Sequence, residues 1–242
     1  MSSNNVGSDV GSNSDDAGCV INTEWESWEI DPDDIKIEYR CGSGVTAEVF
    51  YGLWNGTAVA VKQIRLGGKR TDKLIRAFKR ELSIMVKCRH PNLVLFMGAA
   101  TKEEPIRVVC EFCEGGTLFD LLHNRDDVKL SWKQKLKMLI DIGKGITYLH
   151  ACKPPIVHRD LKSLNLLLAE RVDDEYDTPI MKIADFGMAK IKDDSNQDMT
   201  ANAGTYHWMA PEVLVMYEIL CRVIPYEETG LEAMKIALAV NR

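Results

Sequence analysis

No apolar run in this 242-residue chain approaches the length needed to cross a bilayer, and no signal peptide opens it. Ser2 stands where an N-myristoyl pattern needs glycine, so no membrane segment or acyl anchor is expected. Basic residues are missing from the start: Asp9, Asp15, Asp16, Glu24, Glu26, Glu29, Asp31, Asp33 and Asp34 precede Lys36 without one Lys or Arg. Taking those nine charges from the net −6 leaves the remainder at +3. The acidity therefore belongs to the N-terminal tail, and no nucleic-acid partner is expected. The seven cysteines lack a disulfide framework, which suits a reducing, cytoplasmic setting. Cys110-Glu111-Phe112-Cys113 has C-x-x-C spacing, yet no second pair or His pair accompanies it. Two small residues on a strand leaving the core is the better reading than a metal or redox site. Internal repeats are absent.

What is present is ordinary in bulk: 45% hydrophobic and 27% charged residues, enough chain for one large domain or two lobes. Residues 1–24, rich in Ser, Asn, Gly and Asp, read as a disordered acidic tail, and residues 25–242 as the folded part. Trp25 and Trp28 mark the return of residues able to pack. Strand patterns cover 35–41, 48–53 and 58–64, with Asn55-Gly56 a hairpin signal between the last two. Helical period takes over across 71–87, with Leu74, Phe78, Leu82 and Met85 on one face and Glu81 beside it. Two apolar strands come next, at 93–97 and 107–112. A helix capped by Ser131 then runs from 132 to about 151, with Leu136, Leu139, Ile140, Gly143 and Ile146 expected inward. The acidic stretch 173–177 reads as a solvated hairpin tip.

His158-Arg159-Asp160-Leu161-Lys162-Ser163-Leu164-Asn165 is followed by Asp185-Phe186-Gly187 at the spacing of a short hairpin. Phosphoryl transfer needs a carboxylate to orient the attacking hydroxyl, a cation near the moving phosphate, and hard oxygen ligands for magnesium. Asp160, Lys162, and then Asn165 with Asp185 have those chemistries in that order. Singly each has a bland use: His158 in a core, Arg159 with Asp160 as a surface ion pair, Asn165 as a cap. The whole string is what points to phosphotransfer. Gly42-Ser43-Gly44-Val45-Thr46-Ala47-Glu48-Val49 lies between two strands, as a lid whose bare amides approach phosphates would, although alone it suits an ordinary hairpin equally well. Lys62 ends an apolar strand; alone it reads as a snorkelling lysine, and with Glu81 as partner it reads as a phosphate contact.

These motifs, with Trp28-Glu29-Ile30, Val59-Ala60-Val61-Lys62 and the stretches 90–98 and 204–212, resemble a eukaryotic protein kinase of the tyrosine-kinase-like group, near Raf-like and mixed-lineage kinases. The resemblance covers about residues 25–212. It implies an α+β bilobal fold: a five-stranded antiparallel sheet with one helix (about 35–112), then a mainly helical lobe (about 113–242). It also implies ATP and Mg2+ as cofactors, a protein substrate, and another kinase or upstream activator as partner. Serine/threonine specificity is implied by Lys162 with Thr205. Cys110 falls at the gatekeeper position and Glu111 to Cys113 at the adenine-binding hinge. Val49, Ala60 and Leu167 match the residues that sandwich adenine, while Gly42, Ser43 and Gly44 cover the phosphates. Met85, Phe96, His158 and Phe186 match a stacked hydrophobic spine. Ser195 and Thr200 lie in the activation segment, where a phosphate would pair with Arg159.

The match breaks after Glu212. Family members continue into a long buried helix whose first Asp anchors the catalytic-loop backbone. Here residues 213–226 resemble the end of that helix and the stretch beyond it, so a segment of about twenty residues is expected to be missing. The second lobe is therefore expected to be incomplete after 214, and less stable for the apolar surface left in water. The competing reading is a catalytically impaired kinase fragment that binds nucleotide or a partner without turnover. A small-molecule phosphotransferase is disfavoured by 204–212, which resembles a protein-docking segment.

Overall fold

The computed structural model describes residues 28–43, 47–64, 82, 84–185, 190–191 and 211–225. Residues 1–24, Trp25, Gly44, Glu81, Phe186, Ser195, Thr200 and the stretch 204–210 lie outside that set, as does most of the expected helix 71–87. Leu82, Ile84 and Met85 of that helix are described, helical and buried.

The first lobe is one antiparallel sheet in the order β1-β2-β3-β5-β4, from β1 (Ile35–Ser43), β2 (Ala47–Trp54), β3 (Thr57–Ile64), β4 (Phe96–Ala100) and β5 (Arg107–Glu111). Asn55 and Gly56 close the β2–β3 hairpin at φ 48° and 82°, the left-handed pair a two-residue turn requires. That turn sets an unbroken register from Ala47 opposite Ile64 to Trp54 opposite Thr57. Alternation then sends Val59 and Val61, both fully buried, to an outer cluster with Ile30, Ile35 and Val109. Trp28 meets Phe96 edge-on at 6.3 Å, and Ile30 N–H donates to the Ala99 carbonyl, so the entering chain covers the β4 edge.

Strand β4 starts at Phe96, three residues later than its apolar pattern suggested. Leu93 and Val94 are buried in a loop instead, where Val94 N–H donates to the Ile183 carbonyl. Apolarity marked burial correctly, but the burial is against the second lobe.

In the second lobe, helix α1 (Leu118–His123) precedes helix α2 (Trp132–Ala151). Ser131 caps α2 in a reciprocal box: its hydroxyl accepts from Gln134 N–H, and its own N–H donates to Gln134 Oε1. The inward face agrees with the expected one only in part: Leu139 and Ile146 pack against the core, but Gly143 is exposed. Leu136 (47%) and Ile140 (45%) are exposed, whereas Gln134, Met138, Asp141, Ile142, Gly145 and Leu149 are buried. Two polar residues turn inward because donors and acceptors await them. Gln134 donates to the Asp174 and Asp177 carbonyls, and Asp141 accepts from Met181 N–H and Lys137. Polar satisfaction has overridden hydrophobic period.

Short strands complete the lobe: β6 (Ile156–Val157) pairs with β9 (Lys190–Ile191), and β7 (Leu166–Leu168) with β8 (Met181–Ile183). Helix α3 (Pro211–Cys221) runs straight through the point where the sequence resemblance breaks. Leu214, Val215, Glu218 and Ile219 are buried, while Val213, Met216 and Tyr217 are exposed. The result is the expected α+β architecture, an antiparallel sheet lobe with an incomplete helical lobe. Just beyond α3, Arg222 takes φ 56° and its guanidinium donates to the carbonyls of Leu121, Leu122, Arg125 and Val128 at 2.5–3.1 Å. These carbonyls lie at and beyond the end of α1, where a helix leaves acceptors without partners. Arg222→Ala should cost about 2–3 kcal/mol, the range for losing hydrogen bonds to a charged group, read as a lower midpoint in urea with unchanged slope. An unchanged midpoint would refute the clamp.

Candidate functional site

The sheet supplies one wall of the site. Val49 lies opposite Lys62, Ala60 opposite Cys110, and Lys62 opposite Val108, so these five share the face turned away from the outer cluster. Gly42 and Ser43 end β1 opposite Val49 and Glu48, beside that face. Leu167 forms part of the opposing floor: alternation turns it from buried Leu166 and Leu168, and it bridges to Thr117. The residues expected around adenine thus lie on the two β-layers that flank residues 111–117. Glu81 lies outside the described residues. Lys62 Nζ reaches Asp185 Oδ1 at 3.1 Å, an ion pair between β3 and the stretch after β8.

The string from His158 to Asn165 forms a compact cluster after β6. Lys162 Nζ lies 2.9 Å from Asp160 Oδ2. Asn165 Nδ2 donates to the Asp160 carbonyl at 2.8 Å and to its Oδ2 at 3.0 Å. Asn165 is one of the residues of a 3-10 turn, Ser163–Asn165, whose closing bond runs from its N–H to the Lys162 carbonyl at 2.9 Å. Arg159 and Asp185 both have left-handed backbones, φ 68° and 61°. Non-glycine residues rarely hold that conformation, and it clusters where geometry serves function. His158 ties the two segments together, donating from Nε2 to the Ala184 carbonyl at 2.8 Å and accepting at Nδ1 from Asp160 N–H at 3.3 Å. Those two roles specify the neutral ring.

The side chains suit magnesium. With its amide nitrogen committed to Asp160, Asn165 keeps Oδ1 for a ligand role, and Asp185 offers a carboxylate whose side chain is 46% exposed. Two hard oxygen donors plus substrate phosphates are the kind of set magnesium takes.

The stretch 110–113 departs from a simple recognition surface. Glu111 turns its carboxylate inward: Oε1 accepts from Leu95 N–H at 2.7 Å and pairs with Lys182 Nζ at 2.7 Å. Sequence reasoning missed Lys182. The available signal was a lysine inside the otherwise apolar strand Met181–Ile183, which needs a partner when half-buried. Cys113 is buried, and burial first, then the neighbouring Glu111 charge, pushes its thiol up to about 12.

An antiparallel sheet packs over a helical lobe, and a lysine crosses from it to an Asp beside an Asp-Lys-Asn cluster. The chain belongs to the protein tyrosine and serine/threonine kinase family, which it matches over residues 35–222. It is 41% identical to the probable serine/threonine-protein kinase SIS8 of Arabidopsis thaliana over 206 residues, covering 85% of this chain and 19% of that protein. It is 35% identical over 256 residues to the probable serine/threonine-protein kinase drkC of Dictyostelium discoideum, covering 96% of this chain and 33% of the relative. Serine/threonine-protein kinase STY17 of A. thaliana is 36% identical over 217 residues, covering 83% and 36%. The chain thus spans about a fifth to a third of the length of these curated relatives. The drkC comparison runs over 256 positions, more than this chain's 242 residues, so that relative carries residues absent here.

Burial is the main force on His158: it holds the imidazole below its ordinary value of 6.5, against smaller raising contributions from the Ala184 hydrogen bond and from Asp185 and Asp160. The folded chain therefore refuses a proton that the unfolded chain accepts. This contribution is fully present above 6.5 and is lost as pH falls below it. Thermal midpoints measured from pH 7.5 down to 5 should fall with acid, and His158→Gln, which keeps a donor toward Ala184, should flatten that slope. A variant with the wild-type slope would rule His158 out as its source.

Proposed function

We propose that the chain is an ATP- and Mg2+-dependent serine/threonine kinase domain of the tyrosine-kinase-like group, near the Raf-like and mixed-lineage kinases. The domain begins near residue 25 behind an acidic tail and acts in the cytoplasm on protein substrates, under an upstream kinase. The observation that carries this reading is the Asp160–Lys162–Asn165 cluster, hydrogen-bonded at 2.8–3.0 Å, facing an Asp185 that Lys62 reaches at 3.1 Å. The serine/threonine names of the relatives and the group-specific stretches around residues 28–30 and 90–98 support the substrate class and the group.

Asp160 accepts a hydrogen bond from the acceptor hydroxyl, aligns it, and takes its proton as the bond to phosphorus forms. Lys162 lies beside that carboxylate and offsets charge on the transferred group. Lys62 holds the α- and β-phosphates, with Glu81 as its partner, and Gly42, Ser43 and Gly44 cover them with backbone amides. Val49, Ala60 and Leu167 sandwich the adenine, while the backbone from Cys110 to Cys113 reads its edge. Asn165 and Asp185 hold magnesium, which when bound neutralises charge on the phosphates. Phosphate on Thr200 or Ser195 pairs with Arg159.

Transfer of labelled γ-phosphate from ATP to an acceptor protein, followed by phosphoamino-acid analysis, tests the reading. Asp160→Asn should lower kcat by about 10²- to 10⁴-fold with little change in the KM for ATP. Activity that survives Asp160→Asn would remove the assigned base, and label on tyrosine would overturn the specificity. A chain that gains thermal stability with magnesium-ATP but shows no turnover is the binding module instead.

A further inference from the structure

The Asp that anchors the catalytic loop in family members is the residue expected to be lost with the missing segment, yet the loop here is well fixed. The strongest polar contact to it from α3 comes from Glu218. That residue has no solvent exposure, and its Oε1 accepts from Ser163 Oγ at 2.6 Å and from His123 Nε2 at 2.9 Å. Its Oε2 is buried without a hydrogen-bond partner among the described residues. A carboxylate is costly in such a place, and two donors from two different elements hold it there. Ser163, also fully buried, directly follows Lys162 and opens the 3-10 turn that ends at Asn165. A shift of Ser163 would therefore move both ends of the cluster: Lys162 beside Asp160 Oδ2, and Asn165, whose amide holds the Asp160 carbonyl and Oδ2.

We propose that Glu218 is the positioning residue of the catalytic loop, acting through the Ser163 hydroxyl, and that α3 thereby takes over the mounting that the lost Asp would provide. Glu218, through His123, and Arg222, through the Leu121 carbonyl, hold α1 from points four residues apart, so the loop and the segment following residues 110–113 share one support. Glu218 touches neither nucleotide nor acceptor in this scheme. Its effect is on alignment, which belongs to kcat and not to ATP affinity. This inference rests on the kinase reading above.

The test is a double-mutant cycle on the full chain with Ser163→Ala, Glu218→Gln and the pair. The expected result is a kcat lower by about tenfold to a hundredfold in each single variant, with the KM for ATP within about twofold. The double variant should fall no further than the more impaired single one, because both break the same link. In parallel, hydrogen exchange at residues 160–165 should quicken in both single variants while residues 57–64 of β3 keep wild-type protection. Glu218→Gln leaves a buried amide and can fail to fold; Ser163→Ala removes only a hydroxyl and keeps the question open to measurement. Wild-type kcat with wild-type exchange in Ser163→Ala would overturn the proposal, as would additive losses in the cycle. Quickened exchange at 160–165 in a chain whose wild type transfers no phosphate would uphold the anchor and sink the kinase reading instead.

Discussion

One ion pair makes a single site out of two lobes. Lys62 leaves the apolar strand β3 and meets Asp185 at 3.1 Å, 123 residues further along the chain. The lysine is three-quarters buried and Asp185 sits in a left-handed backbone, so each gains from a charged partner at that point. The register that puts Lys62 on one face of the sheet puts Val49, Ala60 and Cys110 on that same face.

The second lobe answers a different constraint. Its interior holds Gln134, Asp141, His158, Ser163, Asn165 and Glu218, an unusual density of buried polar groups around one loop. Each must be supplied with partners by the chain itself. The solution is a web that ties α2 to β8 through Asp141, β8 to the catalytic string through His158, and that string to α3 through Ser163. Hydrophobic burial brings these elements together, and the polar web fixes where they stop. A short α3 can serve because the contacts that matter to the loop lie in its C-terminal half and just beyond it.

Much of this was legible in the residues. Asn55-Gly56 announced its turn, Ser131 its helix, and the catalytic string its cluster, because each depends on neighbours a few residues away. The misses share the opposite property. The start of β4 and the inward face of α2 went astray because apolar pattern reports burial without saying against what, and because Gln134 and Asp141 turned inward toward distant carbonyls and amides. Lys182 with Glu111 and Glu218 with Ser163 are pairs 71 and 55 residues apart, which no local spacing encodes. The string that forms the cluster is local and readable; the framework that holds it is long-range and is not.

The stitching of Glu111 to Leu95 and Lys182 has a consequence for anyone seeking an inhibitor of this chain. A compound entering beside residues 110–113 finds the Glu111 carboxylate already held by Leu95 N–H and Lys182, and meets two sulfurs, Cys110 and Cys113. Of these, Cys113 looks tempting as an attachment point for an electrophilic warhead. With 7% of its surface accessible and a thiol pushed to about 12, it holds almost no thiolate at neutral pH and would react sluggishly. Reversible contacts to the peptide groups of that stretch are the more rational chemical starting point.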